Sequence, residues 1–332
     1  DRLRSRGLGD VYKRQVLGCA NIAIRSLLPA FLKADRFQIL AVASRQLDKA
    51  KELAGQYSCK AYGGYEELLE DPLVDLVYIP LPTGLHYEWV MKALHRHKHV
   101  ISEKSLAADY GEVEELVQIA RKNGLLLIEN FQFRFHSQHQ WVRDCLQRNE
   151  IGDIRCFRSS FGFPPFADSS NIRYSRKLGG GALLDAGAYT VKAMQVILPE
   201  YTFSLRAASL FRPFGAEVDI WGGAYFHCND GIVAELAFGF DNYYQCNYEI
   251  WGSTGKLIVT RAFTAPTDLN PIIILEKQGY KEEFNLPKDD HFDNMLKYVA
   301  QCLDKREYEQ EYAQNLAQSY HLCQIKQYCH EE

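Results

Sequence analysis

The run Gly18-Cys19-Ala20-Asn21-Ile22-Ala23 fits the pattern G-x-G-x-x-G/A, with alanine in place of the second glycine. Between a strand and a helix, such a turn carries a dinucleotide. Gly18 permits the tight turn, a small residue at Ala20 lets backbone approach the pyrophosphate, and Ala23 allows close packing of helix on strand. The helix N-terminus then offers unpaired N–H groups to phosphate. Gly18, Ala20, Asn21 and Ile22 are the candidate cofactor contacts of this turn. The second place to read is the end of the next strand, where an NAD site usually carries an acidic residue for the ribose 2′-hydroxyl. This chain has Ser44 and Arg45 there. Serine removes the repulsion of a 2′-phosphate, and the arginine fork can pair with it and stack on adenine. The cofactor expected is NADP, with NAD as the alternative. Using such a cofactor to reduce a carbonyl also requires a proton for the developing alkoxide. A lysine ammonium supplies charge and a donor, and a tyrosine hydroxyl supplies the proton. Lys104 sits at a strand end, and Asp185 lies four residues before Tyr189, so these two share one helix face.

The elements that position these residues alternate in the first half. Val16-Leu17 ends a strand, Ile24 to Ala34 is helical, and Phe37 to Ala43 is an apolar run of buried-strand length. Helices then follow at 47–57, 86–95 and 110–123, the last closed by Gly124, with strands at 76–80, 99–102 and 125–128. This βαβ alternation predicts a parallel Rossmann sheet. Pro82, Thr83 and His86 follow one of its strands, and Glu103 and Asn130 lie near the ends of two others. They fall on the carboxyl edge, where ligands bind. After about residue 130 the pattern changes. A helix at 139–148 is followed by long strands at 154–162, 203–211, 219–227, 232–240, 245–252 and 256–260, with a helix at 181–197 between the first two. Several strands alternate polar and apolar residues, which predicts a large, mostly antiparallel sheet with one open face. Two more helices are expected from about Asp290 to Gln327. The fold class is thus α/β, with an N-terminal Rossmann domain over 16–130 and a C-terminal α+β substrate domain over 131–332. The last helices of the chain are free to pack back on the first domain.

Ser5 to Gln15, SRGLGDVYKRQ, can be written as one open frame of transposase-adapter DNA. Residues 1–15 are therefore read as adapter-derived, and most of the first strand's own sequence as missing. Net charge is −4 and the pI about 6.2, which argues against a nucleic-acid partner. No run of about 18 apolar residues spans a membrane. Nine cysteines without a C-x-x-C pair fit free thiols in a reducing cytoplasm. His95, His97 and His99 cross from a helix end into a strand, so no metal site is expected.

Further along, Ile79-Pro80-Leu81-Pro82-Thr83-Gly84-Leu85-His86, Glu103-Lys104-Ser105 and Gly179-Gly180-Gly181-Ala182-Leu183-Leu184-Asp185-Ala186-Gly187-Ala188-Tyr189 complete a set. With the glycine turn, these motifs resemble, in order, those of the Gfo/Idh/MocA oxidoreductases, and in particular the dihydrodiol and D-xylose dehydrogenase branch. The resemblance runs from Val16 to roughly the C-terminus. It implies that Lys104 polarises the substrate and contacts cofactor, that Tyr189 donates the proton, and that Asp185 orients Lys104 or a substrate hydroxyl. It also brings Arg173 towards cofactor or substrate and implies a homodimer or homotetramer. Ser105 departs from the family's E-K-P, and serine constrains the backbone less than proline. The implied function is hydride transfer between a nicotinamide and a sugar-like carbonyl or hydroxyl. An NAD-retaining glycoside hydrolase and a non-catalytic nucleotide-binding regulator are the alternatives on the same fold.

Overall fold

A computed structural model describes the backbone at residues 12–17 and 23–331 and the side chains from 23 to 329. The described chain divides into two compact units. One holds the residues up to Asn130 together with Phe292–Ser319, and the other holds Phe131–His291 and the residues from Tyr320 on.

The first unit is built on six strands: β1 (Tyr12–Leu17), β2 (Phe37–Ala43), β3 (Lys60–Tyr62), β4 (Leu76–Ile79), β5 (His99–Glu103) and β6 (Leu127–Asn130). They lie in the order β3-β2-β1-β4-β5-β6. All neighbouring pairs are parallel. Strand order therefore reverses between β1 and β4, the switch point of a doubly wound sheet. Every residue of β4 and β6 is buried, as helices on both faces demand. The connecting helices are α1 (Leu28–Lys33), α2 (Leu47–Tyr57), α3 (Tyr65–Glu70), α4 (His86–His95) and α5 (Tyr110–Asn123). Gly124 ends α5 in the left-handed region at φ 62°. Leu125 N–H then bonds back to Ala120 O, so β6 starts at Leu127, two residues later than the apolar run suggests.

Tyr12–Gln15, read above as adapter-derived, lie within β1 and pair with β2 and β4. Ladder pairing is made by backbone groups, which any non-proline residue supplies. Residues 292–319, expected in the second domain, belong to the first unit. Here α8 (His291–Lys305) and α9 (Glu309–Glu331) supply the contacts. Asp304 pairs with Arg36 at 2.7 Å, Tyr312 donates to Leu125 O, and Asn315 donates to Leu127 O.

The second unit carries α6 (Ser137–Gln147), α7 (Ala188–Ile197) and eight strands. These are β7 (Ile154–Gly162), β8 (Phe203–Phe211), β9 (Trp221–Cys228), β10 (Val233–Gly239), β11 (Gln245–Gly252), β12 (Gly255–Val259), β13 (Ile272–Lys277) and β14 (Tyr280–Asn285). Their order is β14-β13-β12-β11-β7-β10-β9-β8. Only β7 and β10 pair in parallel. The inner face buries Phe157, Phe161, Leu236, Phe238, Tyr248 and Ile250. The outer face exposes Phe211, Trp221, Tyr225 and Trp251, and there Arg158 on β7 bridges Glu235 on β10 and Glu249 on β11.

Candidate active site

In the first unit the candidate residues gather at the carboxyl ends of the parallel strands. Gly18, Ala20, Asn21 and Ile22 lie outside the described residues. Ser44, just past β2, is buried; its hydroxyl accepts the Gln46 N–H at 3.2 Å, and Arg45 beside it is exposed. Pro82 and Thr83 lie in the half-exposed turn after β4, closed by Leu85 N–H to Pro82 O at 2.9 Å. His86 opens α4 and is fully buried. Its Nδ1 lies 2.7 Å from Ser105 O and its Nε2 2.6 Å from Leu81 O. Both ring nitrogens therefore face backbone carbonyls. His86, expected as a cofactor contact, instead ties the Pro82 turn to the peptide that follows Lys104. Burial pushes its imidazole below the ordinary value, against the pull of the two carbonyls and with the help of the Lys104 charge.

Glu103 and Lys104 sit half-buried at the end of β5, and the Lys104–Ser105 peptide is cis. Glu103 Oε1 accepts from Tyr78 Oη at 2.7 Å and from Asn130 Nδ2 at 2.8 Å. Burial raises the Glu103 carboxyl above the usual range, while Tyr78, Asn130 and Lys104 pull it down. Tyr78 on β4 is not marked by any motif in the sequence, because its partner stands 25 residues away.

In the second unit the glycine triplet, Asp185 and Tyr189 form one structure. A π-helical turn, Leu183–Gly187, leads into α7. A Cβ on Gly180 would stand 2.3 Å from Arg173 O, and one on Gly181, at φ 114°, would stand 2.4 Å from Asp219 Oδ1. Glycine is thus required where the 172–180 loop and Asp219 close on the helix start. Arg173 Nε donates to Asp185 Oδ2 at 2.6 Å, and its guanidinium lies 4.8 Å over the Phe166 ring. Arg173 and Asp185 are therefore one ion pair. Tyr189, one turn on, packs in an aromatic nest with ring centroids 5.4 Å from Phe131, 5.0 Å from Phe161 and 5.7 Å from Phe263. With Phe133 at 5.8 Å, these rings enclose the buried Tyr189 ring.

Asp219 is a residue sequence reasoning placed wrongly. The expected strand 219–227 begins instead at Trp221, because the Asp219 carboxylate turns to the helix start and accepts Leu183 N–H at 2.7 Å. A carboxylate there satisfies an orphan donor and opposes the positive helix end. Asp219→Ala is expected to cost about 1–2 kcal/mol of stability, a typical loss for a removed helix cap. Urea unfolding measures it, and an unchanged midpoint would refute the capping role.

His136, His139 and His291 form a second buried group, with ring centroids 6.5 Å (His136–His139) and 5.8 Å (His136–His291) apart. His139 Nδ1 pairs with Tyr248 Oη at 2.9 Å, and its Nε2 lies 3.1 Å from Ala262 O. Among the described residues, no group of three or more His, Cys, Asp or Glu side chains could hold a metal, and no helix is long and apolar enough to cross a membrane.

Comparison with known proteins bears on what these sites do. The sequence pattern of an oxidoreductase family with an NAD-binding Rossmann fold, Gfo/Idh/MocA, matches residues 13–131, and that of the family's C-terminal domain matches residues 139–258. The chain belongs to the Gfo/Idh/MocA family. It is 43% identical over 275 residues to a dTDP-3,4-didehydro-2,6-dideoxy-alpha-D-glucose 3-reductase of Saccharopolyspora spinosa, covering 83% of this chain and 82% of that one. An enzyme of the same name from Actinomadura kijaniata is 40% identical over 300 residues, 90% of each chain. A crystal structure of a 3-ketoreductase from Actinomadura kijaniata, with NADP and TDP-benzene, superposes with a TM-score of 0.93 at 37% identity, covering 96% of this chain and 98% of that one. The protein is thus an NAD(P)-dependent oxidoreductase.

The residues present fit the cofactor. Asn130 is fully buried at the end of β6, and its Oδ1 has no hydrogen-bond partner. An orphaned acceptor at the carboxyl edge suits a donor such as a carboxamide N–H. When bound, the nicotinamide supplies the hydride.

Proposed function

We propose that the protein is an NADPH-dependent ketoreductase of a nucleoside-diphosphate-linked deoxysugar, reducing a ring ketone to a secondary alcohol. The observation that carries the reading is the similarity over 83–90% of the chain to named dTDP-sugar 3-reductases. In this reading Lys104 donates to the substrate carbonyl oxygen and stabilises the negative charge that grows there. Tyr189 gives that oxygen its proton. Asp185, paired with Arg173 one turn before Tyr189, is available to a substrate hydroxyl. Ser44 and Arg45 receive the 2′-phosphate, and Gly18, Ala20, Asn21 and Ile22 the pyrophosphate. The ketoreductase from Actinomadura kijaniata was also solved with a lysine replaced and with a tyrosine replaced by phenylalanine, the two residue types assigned here.

A dTDP-linked 3-keto-deoxysugar is expected to be turned over with a kcat/KM at least about 100-fold above that of the same sugar without its nucleotide. Remote binding contacts are used this way to orient the reacting centre. Steady-state kinetics on both substrates checks this; equal kcat/KM values would refute the nucleotide-linked substrate. The exposed aromatic side chains of the open sheet face, Trp221, Tyr225 and Trp251, support a homodimer or homotetramer. The eight described cysteines are free thiols, which supports a reducing, cytoplasmic setting.

A further inference from the structure

Three neighbouring strand ends converge on one oxygen atom. Tyr78 on β4 is 1% exposed and Asn130 on β6 0% exposed, and both donate to Oε1 of Glu103 on β5. A carboxylate gripped by two donors from the flanking strands cannot turn away from the position β5 gives it. The charge next to it along the chain is the Lys104 ammonium.

In a doubly wound sheet the dinucleotide crosses the carboxyl edge at the switch point, with one half on each side. Here the switch point lies between β1 and β4. Ser44 and Arg45 follow β2, on the side expected to take the adenosine half. The other side, β4-β5-β6, is left for the nicotinamide, and Glu103 sits at its middle strand. A bound dihydronicotinamide would supply the hydride to a carbonyl carbon and would be left as a ring with one positive charge, while the protein would supply the proton for the substrate oxygen.

We propose that Glu103 is the counter-charge for that oxidised ring and that Tyr78 is the positioning residue that holds it there. Burial alone would favour the protonated acid, and Tyr78, Asn130 and Lys104 pull the group back towards the carboxylate, which favours the positively charged oxidised cofactor over the neutral reduced form. It also offsets Lys104, whose ammonium repels the same ring. The proposal concerns cofactor binding alone, so its test needs no substrate and is independent of the substrate reading.

The dissociation constants of NADP+ and NADPH are to be measured by fluorescence titration on the wild type, Glu103→Gln and Tyr78→Phe. Glu103→Gln is expected to weaken NADP+ about tenfold while NADPH changes by less than about twofold, the effect of one partly screened charge at close range. Tyr78→Phe keeps the carboxylate and the ring packing. It is expected to shift the same ratio about threefold in the same direction, and it reads the proposal even where Glu103→Gln does not fold. Equal weakening of both cofactor forms, or an unchanged ratio in both variants, would overturn the counter-charge. An altered ratio in Glu103→Gln alone would support the counter-charge and overturn the role of Tyr78.

Discussion

Lys104→Ala is expected to lower kcat by about a thousandfold while the dissociation constant for NADPH stays within about threefold. Hydride arriving at a carbonyl carbon drives negative charge onto oxygen, and an ammonium aimed at that oxygen lowers the barrier by roughly 3–4 kcal/mol. A dinucleotide laid across the carboxyl edge of a doubly wound sheet makes many contacts, so one side chain would contribute little to its affinity. The loss should therefore fall on kcat and not on cofactor binding. The position of the lysine supports this division. Its chain neighbours are pinned on both sides, Glu103 by Tyr78 and Asn130, and Ser105 O by His86. Single-turnover measurements separate chemistry from release, and a variant with near-wild-type kcat would refute the assignment.

The second large effect is on stability in acid. Burial lowers the imidazole of His139 to about 3 and that of His291 to about 4, and it lowers His136 as well. Against an unfolded value near 6.5, the folded state holds these rings neutral. Below pH 6.5 the unfolded chain takes up protons that the folded chain refuses, so stability is full above pH 6.5 and falls as the pH drops towards 4 and 3. At pH 5 the loss is about 2 kcal/mol for each of His139 and His291, with His136 adding in the same direction. The raised carboxyls of Glu103 and Asp219 act in the opposite sense, because their folded forms gain protons more readily. Urea unfolding at pH 7.5 and pH 5.0 is expected to show a clear fall in midpoint, reduced in His291→Gln. An unchanged midpoint in the wild type would contradict the neutral buried cluster.

The architecture was legible because it is written in local pattern. Buried runs such as Phe37–Ala43, and alternation such as that along β10, specify strand type without any long-range knowledge. The segments that carry Lys104 and Tyr189 were placed at the end of β5 and along α7 for the same reason, since each is short and local. What escaped were the partners across long separations. Tyr78 meets Glu103 25 residues on, Arg173 meets Asp185 12 residues on, and Leu183 meets Asp219 36 residues on. No periodicity encodes such pairs. His86 was read as a ligand contact because it ends a motif, yet its ring is spent on two carbonyls that only the fold brings together. The edge strand β14 also escaped. It is exposed along most of its length and carries Lys281, Glu282 and Glu283, so it has no buried face to leave a pattern.

The central claim is net hydride transfer to a nucleotide-linked ketosugar, and absorbance at 340 nm tests it most directly. With NADPH and a dTDP-linked 3-keto-deoxysugar, one equivalent of NADPH is expected to be consumed for each equivalent of alcohol formed. A flat trace at 340 nm, accompanied by cleavage of a glycosidic bond or by no product at all, would contradict it.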